Sequence, residues 1–368
     1  MRPRTPDRRS RGRARFRRAW LPGLPLFLLL AACTKEYPQN SLAPAGPVAR
    51  EQADLFFLVF WIAVGVFVVV EGLLVFAMIR FRHRSDDDTP VQVHGNTRLE
   101  VAWTIIPALL LAGVAVPTIA SIFSLAREPA DVAVEINVTG HQFWWEVEYP
   151  EQEGISQPFF TANELHIPVG RYVRLNLTSA EAVPPGPVIH SFWVPRLAGK
   201  QDVVPGRLNE LYIQADDPGT YSGQCAEYCG LSHYLMRFLV VAQPEDQFRA
   251  WVEEQQAPAA EPGEGSEAAE GFAVFNEPLP QGPPPGAAEA ACVACHTTDP
   301  AAGGTVGPNL AHFGSRQTVA AAILPNDPQG VTTWLHDPPG VKPGSRMPNY
   351  RLTDDQLDAL IAYLESLE

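Results

Sequence analysis

The sequence is short of three kinds of residue, and each shortage limits what the protein can be. There are five cysteines and four methionines among 368 residues, so each sulfur atom can be considered individually. After residue 32 basic residues are scarce as well: 27 − 9 = 18 remain against 41 − 1 = 40 acidic residues, a formal net charge of −22. That imbalance argues against nucleic acid as a partner. The sequence also has no repeat of roughly 20–50 residues, which excludes a solenoid.

The first 32 residues have the composition of a secretory signal. Nine arginines and a single acid precede the apolar run LPGLPLFLLL, which leads to LAAC at residues 30–33. A basic segment, a short apolar segment and small residues before a cleavage point are typical of export signals. A cysteine directly after small residues resembles a bacterial lipoprotein signal, and this implies removal of residues 1–32 and lipidation of Cys33. The alternative is an uncleaved signal with an incidental cysteine. After removal of residues 1–32, residues 33–53 would form an extracytoplasmic segment.

Two long apolar stretches follow, at residues 54–79 and 101–125. Each exceeds the roughly 20 residues needed to cross a bilayer. The second has no charged residue, and the first has one internal acid, Glu71. The loop between them begins RFRHR, so the positive-inside rule places it in the cytoplasm and both chain ends outside. We therefore predict a transmembrane hairpin over residues 54–126, and we interpret Glu71 as a protonated carboxyl bonded to a neighbouring subunit rather than a proton relay.

From about residue 131 the pattern changes to short segments rich in β-branched and aromatic residues. Examples are VAVEINV, FWWEVEY, YVRLNL and RFLVV, separated by proline and glycine. Many short strands punctuated by turns predict an all-β sandwich or barrel. We place this domain at residues 129–243.

The stretch YSGQCAEYCGLSHYLM within this domain predicts a metal site. A disulfide between Cys225 and Cys229 would close a short loop and constrain little, and a redox dithiol leaves His233 and Met236 unexplained. Thiolates with imidazole and a weak thioether are the ligands of copper electron-transfer sites, whereas methionine is not a usual zinc ligand. A second histidine is expected from an adjacent strand, and His190 in VIHSFWVP is the candidate. Two cysteines rather than one suggest two copper ions bridged by both thiolates.

A second cofactor site is predicted near the C-terminus. A short helical pattern, PEDQFRAWVEEQ, leads into a linker rich in alanine, glutamate, proline and glycine over residues 244–269. Beyond it, ACVACHTT contains C-x-x-C-H at Cys292, Cys295 and His296, the attachment motif of a c-type haem. Electron-transfer haems commonly take methionine as the sixth ligand. Met347 in KPGSRMPNY is the candidate, because the other methionines are the initiator, a membrane residue and a copper ligand.

The C-terminal segment resembles small monohaem cytochromes c in three further places. KPGSRMPNY is similar to the context of their axial methionine, and GPNL to the loop on the proximal side. The tail TDDQLDALIAYLESL has apolar residues on one helical face and a capping box at Thr353 and Gln356, so it should be the helix that covers the haem edge. His312 and His336 are rival axial ligands, which we interpret as surface or propionate-contacting histidines. This resemblance implies an all-α class I cytochrome c domain over residues 270–368.

The copper loop resembles that of cytochrome c oxidase subunit II. CAEYCGLSHYLM matches C-x-E-x-C-G-x-x-H-x-x-M at every position, and the likeness runs from the hairpin to about residue 243, including GHQFWWEVEYP and VPGRLNE. It implies a cupredoxin-like Greek-key β domain that binds the dinuclear CuA centre. The implied copper ligands are His190, Cys225, the backbone carbonyl of Glu227, Cys229, His233 and Met236. The Glu227 side chain is implied to reach a magnesium ion at the interface with the catalytic subunit.

Two further positions can be compared with this family. Glu100, three residues before Trp103 in LEVAWTIIP, matches a glutamate at the mouth of a proton path into the catalytic subunit; the alternative is an interfacial acid exposed to water. The family's electron-accepting tryptophan is the first aromatic residue after G-H-Q. Here that residue is Phe143, followed by Trp144 and Trp145, so the standard docking route of a soluble cytochrome is in doubt.

The whole pattern resembles subunit II of a bacterial haem–copper oxidase with a cytochrome c fused at its C-terminus. The resemblance implies a plasma-membrane protein that passes electrons from its haem through CuA to subunit I, which reduces oxygen and pumps protons. Subunit III is a further implied partner, and the external donor would be a soluble or membrane-bound cytochrome c or a cytochrome bc-type complex. One alternative is the corresponding subunit of a nitric oxide reductase, which would differ in its partner chain. Another is a membrane copper chaperone, against which His190, Met236 and the haem motif argue.

Overall fold

The computed structural model describes residues 37–82, 92, 95–180, 186–282, 291–304 and 306–368. The predicted signal over residues 1–32 and the predicted lipidation site Cys33 lie outside the described residues. Within them the chain forms two long helices, a sandwich of two β-sheets and a mainly helical C-terminal domain.

Two helices, α1 (Pro47–Arg80) and α2 (Thr97–Leu125), are long and apolar enough to cross a membrane. Their most apolar windows have a mean hydropathy of 2.7 and 2.2, and no residue in those windows is buried within the chain. Asn96 caps the N-terminus of α2, because its side chain accepts hydrogen bonds from two backbone nitrogens of the first turn. The two-helix prediction is confirmed, but α1 begins before the predicted start at residue 54.

The additional N-terminal turns of α1 attach the helix to the β domain. The helix follows Gly46, where a Cβ atom would lie 2.0 Å from the backbone oxygen of Gln214. One turn later the Arg50 guanidinium pairs with the carboxylate of Asp216. The first turns therefore belong to a packed contact rather than to a lipid-facing span, which sequence hydropathy does not distinguish.

The described residues of the β domain form ten strands in sequence order. They are β1 (Val132–His141), β2 (Trp144–Tyr149), β3 (Phe159–Ala162), β4 (Glu164–Pro168), β5 (Tyr172–Ser179), β6 (His190–Trp193), β7 (Gln201–Val203), β8 (Asn209–Ile213), β9 (Gly219–Cys225) and β10 (Arg237–Gln243). The strand order is β3-β2-β1-β5-β8 in one sheet and β4-β10-β9-β6-β7 in the other. Both sheets are mixed, because β1 pairs with β5 in parallel, as does β4 with β10.

The core of the sandwich lies between the two sheets. Burial alternates along the strands, as in β5, where every second residue is buried. Ile136 and Leu175 from the first sheet belong to the same core as Phe192 and Phe238 from the second, whose rings stack with centroids 4.2 Å apart. The all-β sandwich prediction is therefore confirmed.

The helix α3 (Glu245–Gln256) follows the last strand and packs on the sandwich. Its Phe248 and Val252 are buried in the β-domain core, and Trp251 stacks on His166 with ring centroids 4.0 Å apart. The sequence correctly predicts a helix here, but places it in the linker segment over residues 244–269. Its apolar face makes it part of the sandwich instead.

The described part of the C-terminal domain contains four further α-helices: α4 (Glu267–Asn276), α5 (Pro328–His336), α6 (Pro338–Val341) and α7 (Asp354–Glu365). Short strands β11 (Thr318–Val319) and β12 (Leu324–Pro325) form a two-stranded ribbon beside them. A 3-10 turn lies at Cys292–Ala294. The predicted capping box of α7 is confirmed, since Thr353 Oγ1 accepts from Gln356 N and the Gln356 side chain accepts from Thr353 N. Helices α4 and α7 cross closely, because Gly271 has no side chain to separate them.

Candidate functional site

The sulfur and imidazole side chains of the predicted copper site converge at one end of the sandwich. Cys225 ends β9 and Met236 directly precedes β10, and the Cys225 nitrogen donates to the Met236 carbonyl over 2.9 Å. The loop between them contains a 3-10 turn at His233–Leu235. His190 begins β6, which pairs with β9 so that Phe192 lies opposite Cys225. Strand pairing therefore brings His190 to a loop that is distant in sequence.

Cys225 lies at the centre of the first half of this cluster. Its Sγ is 3.9 Å from the Cys229 Sγ and 3.9 Å from Nδ1 of His190. The backbone oxygen of Glu227 is 3.3 Å from the same sulfur. Cys225 and His190 are 4% and 1% exposed, so these atoms are shielded from water.

Cys229 lies at the centre of the second half. Its Sγ is 3.8 Å from Nδ1 of His233 and 3.8 Å from Sδ of Met236, which is fully buried. Each thiol therefore has its own imidazole and one weaker ligand: a thioether beside Cys229, a carbonyl beside Cys225. The cluster is a pair of similar donor sets that meet at two sulfur atoms.

The protonation of the two thiols is linked. The pKa of Cys225 is lowered, because its hydrogen bond with Cys229 outweighs the opposite effect of burial. The same hydrogen bond, together with burial, raises the pKa of Cys229. Metal ligands must be deprotonated, so a bound cation takes the place of these protons. Soft thiolates with imidazole and thioether suit copper, and two donor sets that share two sulfurs suit a pair of ions.

Two glycines allow neighbouring rings to approach the cluster. At Gly140 a Cβ atom would lie 2.8 Å from Cδ2 of His190, so the histidine ring packs directly on the β1 backbone. At Gly230, where φ is +135°, a Cβ atom would lie 2.9 Å from Cε1 of Phe143. A residue outside the copper loop also forms a hydrogen bond to it: Gln142 Nε2 donates to the Cys229 carbonyl over 2.6 Å.

One large cavity of the C-terminal domain contains the whole predicted haem motif. Cys292, Cys295, His296 and Met347 all line it, together with apolar residues of α4, α5 and α7. Burial raises the pKa of Cys292 to about 11. Leu360 and Leu364 of α7 are among the lining residues, as expected for a helix that covers the haem. An apolar cavity lined by two thiols, an imidazole and a thioether fits a covalently attached haem.

The imidazole of His296 is oriented by its own chain. Its Nδ1 donates to the Pro308 carbonyl over 2.8 Å, so Nε2 remains the ring atom available to a metal. Gly307 lies against the ring, since a Cβ atom there would be 2.5 Å from Cε1 of His296. Burial lowers the pKa of His296, which favours the neutral, metal-binding form.

The two rival axial histidines are not among the residues that line the cavity. His336 is exposed at the end of α5. The interpretation of His312 as a surface histidine is wrong: it is 3% exposed, and its Nε2 donates to the Ala257 carbonyl over 3.0 Å. Its role is to hold the chain that connects the two domains.

The aromatic run after β1 lies between the two candidate sites. Phe143 and Trp144 both line the haem cavity, although they belong to the β domain. Phe143 also contacts the copper loop at Gly230, as described above. Trp144 stacks on His141 with ring centroids 4.1 Å apart. Trp145 is fully buried in the sandwich, where its ring centroid lies 5.7 Å from that of His190.

Two glutamates of the β domain, the buried Glu164 and the partly buried Glu146, bind the backbone of the cytochrome domain. Glu164 is 3% exposed, and its Oε1 accepts hydrogen bonds from the nitrogens of Gln317 (2.6 Å) and Thr318 (3.1 Å). Glu146 accepts from the nitrogen of Gly304 over 2.8 Å. We call this contact between the β domain and the cytochrome domain the seam. It shows that the two domains are docked rather than separated by a free linker.

Burial at the seam changes the acid–base properties of two facing groups. Burial raises the pKa of Glu146 from 4.5 to about 7, against the effect of the Gly304 hydrogen bond. His141 Nε2 lies 4.0 Å from Glu146 Oε1, and burial, with His190 and Arg346 contributing, lowers the pKa of His141 to about 4. Both groups are therefore held towards their neutral forms, as expected where water is excluded.

The acids of the membrane region lie apart from these sites. Glu100 is exposed in the first turn of α2, and its Oε1 accepts from the backbone nitrogen of Asn96 over 3.2 Å. Its local effect is thus to stabilise the start of the helix. Glu71 is an exposed residue of α1.

Sequence reasoning missed the residues of the seam. Glu164 stands between FFTAN and LHIPV and alternates with the core residues Leu165 and Ile167, which places it on the outer face of β4. A charged residue on an outer face is ordinary, so the sequence does not reveal that the cytochrome domain covers it. No signal marks Glu146 either, or Lys342 in the segment before Met347.

Comparison with known proteins agrees with the division into three parts. The family models that match are cytochrome c oxidase subunit II, transmembrane domain (residues 36–120), cytochrome c oxidase subunit II, periplasmic domain (residues 134–243), and cytochrome c (residues 268–368). The chain thus combines the membrane anchor and periplasmic domain of a terminal oxidase subunit with a fused cytochrome c domain.

Full-length relatives share this arrangement. Cytochrome c oxidase subunit 2 of Alkalihalophilus pseudofirmus is 39% identical over 95% of this chain and 96% of its own length. The same subunit of Bacillus sp. (strain PS3) is 37% identical over 93% and 94%. Quinol oxidase subunit 2 of Bacillus cereus is 34% identical, but covers 67% of this chain and 82% of its own length. This chain belongs to the cytochrome c oxidase subunit II family, whose periplasmic and cytochrome domains imply copper and haem c.

Proposed function

We propose that this chain relays electrons from a c-type haem to a dinuclear copper centre, and onward to the oxygen-reducing subunit of a proton-pumping oxidase. When bound, the haem and the copper pair supply the electron-carrying chemistry, and the chain supplies their positions. One observation carries the proposal: Phe143 lines the cavity that contains Cys292, Cys295, His296 and Met347, and its ring also contacts Gly230 of the copper loop.

In this proposal six groups bind the copper pair. They are His190, Cys225, the backbone carbonyl of Glu227, Cys229, His233 and Met236. Their burial supports the role, because electron transfer with little rearrangement needs ligands held by the protein before and after the change of charge. We extend the proposal to the Glu227 carboxylate as a ligand of magnesium at the contact with subunit I.

The haem residues have separate roles. Cys292 and Cys295 form the covalent bonds to the haem. His296 binds the iron through Nε2, because its Nδ1 is already bonded to the Pro308 carbonyl. Met347 would supply the second iron ligand, and its thioether would raise the reduction potential.

Phe143 is the proposed contact between the two cofactors. Its ring is 5% exposed and lies between the haem cavity and the copper loop. Trp144 completes the wall of the cavity, and Trp145 supports the ring of His190. The position taken by the family's electron-accepting tryptophan is thus covered by the cytochrome domain, which explains why an exposed tryptophan is dispensable here.

The remaining assignments concern the membrane. The hairpin anchors the chain beside subunit I of the complex, with both redox domains and the N-terminus outside a bacterial plasma membrane. We include lipidation at Cys33 and a proton path that begins at Glu100. Subunit III and a cytochrome c or cytochrome bc-type donor complete the proposed assembly.

The proposal is tested on the full chain purified with both cofactors. Metal and haem analysis should give about two copper ions for each haem, with the near-infrared band of a mixed-valence copper pair. Selective reduction of the haem should then reduce the copper. Weakly held copper without this band, and no transfer, would contradict the relay and favour a copper chaperone.

The methionines provide a matched pair for the haem assignment. Met347→Leu should lower the reduction potential of the haem and abolish the spectrum of a methionine-ligated iron. Met78→Leu, in α1, changes a methionine far along the chain from both motifs and should leave spectrum and potential unchanged. Equal behaviour of the two variants would overturn Met347 as the ligand.

A further inference from the structure

Lys342 is a buried lysine at the seam between the two redox domains, and burial lowers its pKa to about 7. It is 4% exposed, whereas Lys200, the other lysine within the described residues, is exposed. Lysine is almost never fully buried unless its ammonium is paired or hydrogen-bonded, because the charge loses its hydration. The surroundings of Lys342 must therefore replace that hydration.

The ammonium of Lys342 is bonded to both domains. Its Nζ donates to the Phe143 carbonyl of the β domain over 2.5 Å and to the Ala320 carbonyl of the cytochrome domain over 3.1 Å. Both acceptors are backbone atoms, which cannot turn away as side chains can. The position of the ammonium thus fixes the separation of the two backbones at the wall of the haem cavity.

The two residues after Lys342 extend this contact to the copper loop. The Pro343 carbonyl accepts a hydrogen bond from Oγ of Ser232, which is fully buried, over 2.5 Å. At Gly344 a Cβ atom would lie 3.3 Å from both Cδ1 of Leu231 and Cε2 of Phe143. Three consecutive residues of the cytochrome domain therefore touch the copper loop or the aromatic residue beside it.

This segment connects the two candidate ligand loops in both directions. Ser232 immediately precedes the copper-ligand candidate His233, and Gly344 is followed within the same loop by Met347. A shift of the segment would change the approach of the haem to the copper loop without changing either ligand set. Loss of the Lys342 side chain would leave the buried Phe143 carbonyl and the partly buried Ala320 carbonyl without this donor.

We propose that Lys342 is a positioning residue for electron transfer: its ammonium, bonded to Phe143 and Ala320, holds the haem-bearing loop against the copper loop. This inference rests on the proposed relay between the two cofactors. It adds a role for a residue that binds neither of them.

The test compares Lys342→Met with Lys200→Met in the full chain loaded with copper and haem. Methionine keeps the length and apolar stem of lysine and removes the ammonium. The first readout is hydrogen exchange at the amides of Gly304 and Gln317, which are bonded across the seam. The second is the rate at which photoreduced haem passes its electron to copper.

Lys342→Met should accelerate exchange at both amides by roughly tenfold or more, as expected when hydrogen bonds to a buried charge are lost. Transfer from haem to copper should slow, while the copper near-infrared band and the haem spectrum stay as in the unaltered chain. Lys200→Met should match the unaltered chain in every readout. Intact spectra distinguish a positioning effect from loss of a ligand.

Two outcomes distinguish failure of the Lys342 positioning role from failure of the proposed electron relay. If the unaltered chain transfers electrons and Lys342→Met exchanges and transfers like Lys200→Met, the positioning role is wrong. If the unaltered chain shows no transfer, the relay itself fails. Should Lys342→Met not fold, Ser232→Ala removes the neighbouring hydroxyl alone and should change exchange in the same direction; no change there would also overturn the inference.

Discussion

Replacing Gly307 by alanine is expected to displace the imidazole of His296. The added Cβ would lie 2.5 Å from Cε1 of His296 and 2.9 Å from both ring nitrogens. Ordinary contact begins at 3.4 Å, so the two groups must separate by 3.4 − 2.5 = 0.9 Å. Gly307 is not among the residues with positive φ. Its replacement therefore acts through this contact rather than through backbone strain.

The energetic cost follows from the geometry. Forcing an extra methyl into a packed interior costs about 1–3 kcal/mol. Moving the ring by nearly an ångström also weakens the hydrogen bond from His296 Nδ1 to the Pro308 carbonyl, worth about 1 kcal/mol. We therefore expect Gly307→Ala to lower the free energy of unfolding of the cytochrome domain by about 2–4 kcal/mol. Its haem should also show a weakened axial histidine.

The assay is denaturant unfolding of the haem-loaded chain, followed by the haem absorption, with a redox titration of the same samples. Gly263→Ala is the matched control, because nothing lies within 4 Å of the added Cβ there. A Gly307→Ala protein that unfolds within about 0.5 kcal/mol of this control, a difference typical of neutral surface changes, and keeps its potential would refute the reasoning. In that case the loop must move away without disturbing the histidine.

Three further changes test the seam and the cytochrome core. Glu164→Ala should accelerate exchange of the Gln317 amide by roughly tenfold or more, because the nitrogen loses a charged acceptor; hydrogen exchange measures it. Compared with the unaltered chain at the same pH, Glu146→Gln should stabilise docking, and the difference should grow as the pH rises from 4.5 to about 7. The raised pKa means that docking is strongest while Glu146 is protonated, and the benefit is lost through this range at up to about 1.4 kcal/mol per pH unit; exchange against pH measures it. Gly271→Ala should destabilise the cytochrome domain by about 3 kcal/mol or more, because the Cβ would lie 1.9 Å from the Ala359 carbonyl oxygen; thermal denaturation measures it.

Each of these changes has a control and a contrary result. The exposed Glu153, changed to alanine or glutamine, should leave seam exchange unaltered at every pH. A Glu146→Gln protein with the same pH profile as the unaltered chain would contradict this prediction. His141 could not account for such a profile, because its lowered pKa weakens docking as the pH falls below 6.5. For Gly271, a melting temperature equal to that of Gly263→Ala would show that α4 and α7 can separate freely.

Features that depend only on residues close together in the sequence were predicted correctly. The two apolar helices, the succession of short strands and the capping box at Thr353 and Gln356 each depend on a local period or spacing. The C-x-x-C-H motif and the loop from Cys225 to Met236 likewise lie within single short segments. For such features the backbone geometry of one element is enough to place the side chains together.

Boundaries were predicted less well where two elements pack on each other. Hydropathy could not separate the first turns of α1, which contact the β domain beside Gly46, from the lipid-facing turns after them. The apolar face of α3 could equally have belonged to a free linker helix, and its partner became visible only in the folded sandwich.

The tertiary structure alone decided how the two cofactor sites are related. His190 reaches Cys225 through the pairing of β6 with β9, and Phe143 reaches the haem cavity because the cytochrome domain docks on the sandwich. That docking depends on the ammonium of Lys342 and the carboxylate of Glu164, which bind backbone groups far away in sequence. Backbone carbonyls and amides are present at almost every residue, so no residue pattern reveals which of them a buried charge will find. The local sequence therefore determined which groups could bind copper and haem, and long-range packing determined that the two sites share a wall.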